Sequence, residues 1–319
     1  MHDTILVTGC AGFIGFHTAM RLLEEDKLVI GIDNLNEYYD PELKKKRLKE
    51  LQIFDDFRFF KGDLSDSAFI DKIFSENKIS KVCHLGAQAG VRYSIDNPHV
   101  YARSNIEGTA NILESCRKHG VKDVVLASSS SVYGNSENMP LSEDQRADKP
   151  VSLYAATKKS NEDMAFTYHH LFGLNCTCLR FFTVYGPWGR PDMALFKFTK
   201  NILEKKPIQV FNDGDMYRDF TYITDIVSGV LFAIEKPLGY EVINLARGEP
   251  VKLLDFVSEI ENNLGIKAEK DLLPMQPGDV YKTFGDITKA KKLLNYEPKV
   301  SLSEGVKQFV NWYKNHYST

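Results

Sequence analysis

Tyr154 and Lys158 stand four residues apart in the run Tyr154-Ala155-Ala156-Thr157-Lys158, about twenty-five residues after the serine run Ser128-Ser129-Ser130-Ser131. On a helix, positions i and i+4 share one face about one turn apart, so the two side chains are expected to be neighbours. A free tyrosine has a pKa of about 10 and is a poor base at neutral pH. A nearby ammonium and a positive cofactor ring favour the phenolate and bring it toward the working range. A serine hydroxyl at the end of a strand can orient the alcohol that loses its proton. These residue types together suit the oxidation of a secondary alcohol.

A second constellation supplies the redox partner. Gly9-Cys10-Ala11-Gly12-Phe13-Ile14-Gly15 lies between an apolar strand pattern and a helical one. Glycines there let the backbone turn tightly and approach a pyrophosphate, whose charge then rests on free N–H groups at a helix N-terminus. Gly9, Gly12, Phe13, Ile14 and Gly15 are therefore expected to hold a dinucleotide. Asp33 ends the next strand, eighteen residues after Gly15, with Asn34 beside it. A carboxylate at that place accepts both ribose hydroxyls and repels a 2′-phosphate, which favours NAD over NADP. Asp63 and Leu64, at the end of the third strand, are expected to face the adenine.

The elements that must position these groups are legible in the spacing. Short β-branched runs alternate with helical patterns through the first 180 residues, the mark of βαβ units and a parallel sheet. Strands are expected at 4–8, 28–32, 57–60, 81–85, 123–127 and 175–182. A long helix is expected to start at Pro98 and stop at Gly120, and a second to run from Ser152 to Phe172 and stop at Gly173. Beyond Tyr185 the rhythm changes. A hairpin is expected around Asn212-Asp213-Gly214, then helices over 253–264 and 302–317. The basic run Lys44-Lys45-Lys46-Arg47 reads as a solvated helix face. The fold class is α/β, a doubly wound parallel sheet with a smaller C-terminal lobe. Residues 1–184 are expected to form the dinucleotide-binding domain and 185–319 mainly the smaller lobe, with about 220–246 returning to the first.

Composition narrows the partners. The 319 residues carry a net charge of −3, with 43% hydrophobic and 26% charged residues, the mix of a globular chain. So small a net charge offers no global field for nucleic acid or an anionic membrane, so an anionic ligand must be bound by local groups. No apolar run approaches a membrane span, and the opening Met1-His2-Asp3 does not read as a targeting leader. The five cysteines (Cys10, Cys83, Cys116, Cys176, Cys178) have no C-x-x-C spacing and read as buried free thiols of a cytoplasmic protein. No metal is expected.

The combination resembles the extended short-chain dehydrogenases/reductases over nearly the whole chain. Within them, Asp33-Asn34-Leu35-Asn36-Glu37-Tyr38-Tyr39-Asp40, Gln88-Ala89-Gly90-Val91-Arg92-Tyr93-Ser94 and Tyr185-Gly186-Pro187-Trp188-Gly189-Arg190-Pro191-Asp192-Met193-Ala194 are similar to the UDP-glucuronate 4-epimerases. The resemblance implies Tyr154 as base, Lys158 as its partner and Ser129 as the catalytic hydroxyl. It implies cofactor and sugar contacts from Asn105 and the segment Arg180-Phe181-Phe182-Thr183, and diphosphate pairing by Arg218 in the 213–222 stretch. Many relatives carry an arginine before Pro277-Gly278-Asp279. Here Gln276 stands there, leaving Arg218, with Arg190 or Arg247, to balance the charge. Related dehydratases and decarboxylases carry an acidic residue in the serine run, and Ser128–Ser131 has none.

The reaction implied is NAD-dependent epimerisation at carbon 4 of a UDP-sugar through a 4-keto sugar, UDP-glucuronate to UDP-galacturonate. The alternatives are a UDP-galactose 4-epimerase, which needs no carboxylate site, and a non-catalytic NAD(H) sensor on the same fold. Ser129, Ser130, Ser131 and Thr183 are the hydroxyls expected to hold a sugar carboxylate, and Gln276 and Asp279 complete the expected substrate contacts. The resemblance also implies a homodimer joined through helices 98–119 and 152–172.

Overall fold

The computed structural model describes residues 3–275 and 280–317. Its first strand, β1 (Thr4–Thr8), alternates side chains across the sheet, as a period of two requires. Ile5 and Val7 enter one core cluster, and Leu6 enters the cluster on the opposite face. The same alternation governs β2 (Leu28–Asp33), where Val29 faces the first cluster and Ile30 and Ile32 the second. A strand buried on both faces must be apolar at nearly every position, as in a parallel sheet covered by helices.

The other strands are β3 (Phe57–Lys61), β4 (Lys81–His84), β5 (Asp123–Ser129), β6 (Asn175–Phe181) and a seventh, Tyr240–Leu245. All pair in parallel, in the spatial order seventh, β6, β5, β4, β1, β2, β3. The sheet is a doubly wound Rossmann sheet. Its order reverses between β1 and β4, and in such sheets the crevice beyond the strand ends at that point is where ligands bind.

Local signals set the helices. α1 (Phe13–Glu24) begins after Gly12 with no side chain capping its first N–H groups and no acidic residue in its first turn. Its positive end is thus left for an anion. Helix Leu153–Phe172 is capped by Ser152, whose Oγ accepts from Ala155 N at 3.1 Å, and stops at left-handed Gly173. The helix after Pro98 ends at left-handed Gly120, but it contains a π-turn over Ala102–Glu107. Such a turn is not encoded by apolar periodicity, and it often marks a functional site.

Beyond β6 the chain adds short two-stranded pieces. Thr183–Tyr185 pairs in parallel with Phe220–Tyr222, and Tyr217–Arg218 antiparallel with Val251–Lys252. The hairpin expected around Asn212-Asp213-Gly214 is not formed. Those residues make a turn with positive φ throughout (51°, 50° and 78°), but the strand before it, Ile208–Phe211, pairs in parallel with Lys270–Leu273. The turn chemistry is right, and a non-local partner takes the strand.

The basic run also departs from expectation. In α2 (Pro41–Leu51), Lys44 and Arg47 are buried beside Leu43, Leu48 and Leu51, while Lys45 and Lys46 are exposed. The helical period divides the run between two faces. All five cysteines are buried free thiols, and among the described residues no helix is long and apolar enough to cross a membrane.

Candidate active site

Two glycines let the chain pass the end of β1. Gly9 has φ of +68°, and a Cβ there would lie 2.7 Å from the backbone of Gly86. A Cβ on Gly15 would stand 2.1 Å from the carbonyl oxygen of Gly9, so α1 could not pack against the turn. Above them opens a cleft that runs from the glycine turn and Asp33 to Ser129, Tyr154 and Arg190.

The expected cofactor residues converge on this cleft. Gly9, Gly12, Phe13, Ile14, Gly15, Asp33, Asn34, Asp63 and Leu64 all line it, as do Ser129, Tyr154, Lys158 and Arg190. The Asp33 carboxylate accepts from Ala11 N at 3.2 Å and Leu35 N at 2.8 Å. Burial raises its pKa, against the hydrogen bond from Leu35 and the charge of Lys44. Burial also pushes Asp63 up, but hydrogen bonds from Ser65 and Asn34 outweigh it and hold the carboxyl below its usual range. Asn34 Nδ2 donates to Asp63 Oδ2 at 2.9 Å, tying the ends of β2 and β3.

Tyr154 and Lys158 share the cleft, with a difference from the spacing argument. Lys158 Nζ donates to the Ala127 carbonyl at 2.8 Å, and burial lowers its pKa to about 8. The Tyr154 phenol is pushed up by burial, opposed by its hydrogen bond with Ser129 and then by the charge of Arg190. In this state the guanidinium, rather than the ammonium, is the charge that favours the phenolate. Sequence spacing puts Lys158 on the right face but cannot say where its last atom points.

A lysine with a lowered folded pKa carries its proton at a cost to stability. That cost is present at pH 7 and fades as the pH rises from about 8 toward the ordinary 10.5. Lys158→Met is therefore expected to melt no lower than the wild type at pH 7 while turnover falls. A clear drop in melting temperature would mean that the Ala127 bond outweighs burial.

The walls behind the site are polar and satisfied. Asn105, on the π-turn, accepts from Gln88 N at 2.8 Å and donates to Gln88 O and Thr157 Oγ1. It ties the loop after β4 to the helix of Tyr154. His84 sits between Thr8 Oγ1 and Thr109 Oγ1, held neutral because burial lowers its pKa to about 3.

Other expected contacts lie elsewhere. Ser130 and Ser131 open a 3₁₀ turn, with Ser131 Oγ donating to Ser129 Oγ at 2.9 Å, and neither lines the cleft. Thr183 lines a smaller adjoining cleft that shares Phe13, Val184, Arg190 and Met193 with the main one. Arg218 Nη1 donates to the carbonyls of Tyr217 and Tyr281. Arg247 bonds Glu249 and the Val300 carbonyl. Gln276 and Asp279 fall outside the described residues. Arg180 does not line the cleft. It is buried against Glu162 and stacks over Tyr133, whereas its neighbours Phe181 and Phe182 reach the cleft. Alternation along β6 sends Arg180 and Phe181 to opposite sides.

Residue type and spacing alone give no role to several of the lining groups. Asn36, Tyr38, Tyr39 and Lys44 line the cleft. Lys44 Nζ donates to Asn36 O and Asn36 Oδ1, both at 2.6 Å. Arg190 forms a two-pronged ion pair with Asp192, which also accepts from Tyr38 OH at 3.1 Å. The signal for Lys44 was available, since it shares the apolar stripe of α2.

The sequence model described as GDP-mannose 4,6-dehydratase matches residues 6–309. The chain is 50% identical to the UDP-glucuronate 4-epimerase of Thermodesulfobacterium geofontis (strain OPF15), across 98% of this chain and 96% of that one. It belongs to the UDP-glucuronate 4-epimerase family of extended short-chain dehydrogenases/reductases. Another family member, UDP-glucuronate 4-epimerase 4 of Arabidopsis thaliana, is 46% identical over 99% of this chain and 76% of its own. Among solved structures, the UDP-glucuronic acid 4-epimerase of Bacillus cereus, in complex with UDP-glucuronic acid and NAD, matches with a TM-score of 0.93. Identity there is 38%, over 98% of this chain and 100% of that one. A UDP-glucose 4-epimerase of Thermotoga maritima with UDP-glucose gives 0.91 and 33%, over 98% and 99%.

Proposed function

We propose that this epimerase-family protein interconverts UDP-glucuronate and UDP-galacturonate by NAD-dependent inversion at carbon 4. The observation that carries the reading is the convergence of Ser129, Tyr154 and Arg190 on one cleft with the glycine turn and Asp33. The residues fit NAD. The uncapped start of α1 offers N–H groups to a pyrophosphate, and Asp33 stands ready for ribose hydroxyls. Bound NAD supplies reversible hydride acceptance. Tyr154 takes the proton of the sugar 4-hydroxyl, and Ser129 orients that oxygen. Arg190 provides the local positive charge that a weakly acidic chain needs for an anionic sugar nucleotide. Arg218 is the further diphosphate contact in this reading, and Ser130, Ser131 and Thr183 adjust to the sugar at the cleft margin.

Residues 1–184 serve as the dinucleotide-binding domain and 185–319 mainly as the sugar-nucleotide lobe. The protein works as a homodimer in the cytoplasm. Val100, Leu153, Phe166, Leu171 and Phe172 stand exposed along helices 98–119 and 152–172, an apolar surface suited to a second copy. Buried free thiols suit a reducing compartment.

The test is a panel of UDP-sugars followed by NMR of the product. UDP-galacturonate from UDP-glucuronate, with little turnover of UDP-glucose, is the expected result. The reverse preference moves the assignment to the galactose-type reaction, and no turnover of either moves it to an NAD(H) sensor.

Asp33 gives a separate check. Each hydrogen bond to a charged group contributes about 1.5–3 kcal/mol, so Asp33→Ser should weaken NAD binding roughly 10- to 150-fold per lost bond. Wild-type NADP binding should be far weaker than NAD binding, and the substitution should narrow that gap. Equal wild-type affinities, measured by titration, would remove Asp33 as the selector.

A further inference from the structure

Arg47 is a fully buried cation whose four hydrogen bonds reach three separate segments. Nη1 donates to the Ala11 carbonyl in the glycine turn at 2.8 Å and to Tyr39 OH at 2.7 Å. Nη2 donates to the carbonyls of Trp188 at 2.5 Å and Gly189 at 3.3 Å. The next residue is Arg190. The carbonyl of Pro187, one residue earlier, is met by His17 Nε2 at 2.9 Å from α1. Three successive carbonyls of the 187–189 loop are thus gripped from the dinucleotide-binding side.

That loop needs holding. Trp188 has φ of +60°, a conformation a bulky residue adopts only when its surroundings impose it. Its ring packs against Phe16, Trp312 and His316 with centroids 5.4, 5.4 and 4.4 Å away. The aromatic contacts fix the side chain, and the Arg47 fork fixes the peptide carbonyls. A planar guanidinium can bind two carbonyls on one side and a third beyond, and a lysine ammonium cannot reproduce that fork.

We propose that Arg47 is a positioning residue that ties the dinucleotide turn to the sugar-nucleotide loop and thereby sets Arg190 in the cleft. The proposal rests on the reading of Arg190 as a substrate contact. Arg47 itself does not line the cleft. It acts through the carbonyls of Trp188 and Gly189, and its bond to Ala11 makes the two binding regions one mechanical unit.

A double-mutant cycle on the NAD-loaded protein tests it, because residues acting through one another are non-additive. Arg47→Lys should raise KM for UDP-glucuronate about tenfold, with kcat within threefold and NAD content unchanged. A merely structural defect would instead lower kcat and melting temperature with KM intact. In the Arg190→Gln background, Arg47→Lys should add less than twofold to KM. Tyr39→Phe, which removes one acceptor and none of the charge, covers the case where Arg47→Lys does not fold. It should raise KM two- to fivefold, and that effect too should vanish when Arg190 is replaced. An unchanged KM in both Arg47→Lys and Tyr39→Phe, or effects that multiply with Arg190→Gln, overturns the proposal. If Arg190→Gln alone leaves KM unchanged, the substrate reading of Arg190 falls first and the proposal with it.

Discussion

Tyr154→Phe should lose turnover by about 10²–10⁴, or roughly 3–5 kcal/mol of barrier. The ring and its edge-on contact with Tyr101 remain, so the fold and the NAD content should be unchanged. Only the hydroxyl proposed to take the 4-hydroxyl proton is gone. A variant that keeps more than a few tenths of wild-type turnover would mean that another group is the base. The pH profile adds a signed check. Because burial raises the Tyr154 pKa, the competent phenolate is scarce at neutral pH, and kcat/KM should climb as the pH rises. Ser129 and Arg190 both oppose that shift, so Ser129→Ala and Arg190→Gln should each move the rising limb to higher pH.

Glu162→Ala should cost about 3–5 kcal/mol of stability, the usual loss when one partner of a buried ion pair is removed. Glu162 is 1% exposed and accepts from Arg180 Nε and Nη2, both at 2.8 Å, and from Ser128 Oγ at 2.6 Å. Without the carboxylate, a buried guanidinium and a buried hydroxyl lose their acceptors. Urea unfolding measures the loss. Glu162→Leu combined with Arg180→Met should recover much of it, since apolar replacement of both partners removes the uncompensated charge. If the single variant is as stable as the wild type, solvent reaches Arg180 more freely than its burial implies. The pair also orders the end of β5, because Ser128, next to Ser129, donates its Oγ to Glu162 Oε1. A stability defect here should therefore bring a smaller kinetic one.

Local physics made the framework readable from residues alone. Alternation in Ile5-Leu6-Val7 and Val29-Ile30, the cap at Ser152 and the glycine stops at 120 and 173 each act within a few residues. A local pattern suffices to place a strand or a helix end. The same holds for the glycine turn, where Gly15 must approach the carbonyl of Gly9. The failures were equally physical. The turn at 212–214 formed, but its strand found a parallel partner some sixty residues away, and no local signal announces that pairing. The π-turn over Ala102–Glu107 lies between the start signal at Pro98 and the stop at Gly120, and neither end signal reports it.

Short-range patterns of residue types carry the chemical signals: a tyrosine one helical turn before a lysine, a serine run, a glycine turn and an acidic strand end. The tertiary structure alone decided which charges act on one another. Lys158 turns to a carbonyl, Arg190 faces Tyr154, Arg180 is withdrawn to Glu162, and Arg47 is sealed between loops nearly 180 residues apart in the chain. Residue type and spacing fix a side chain's face. Burial and long-range packing fix where its last atom lies, and electrostatic effects depend on that atom.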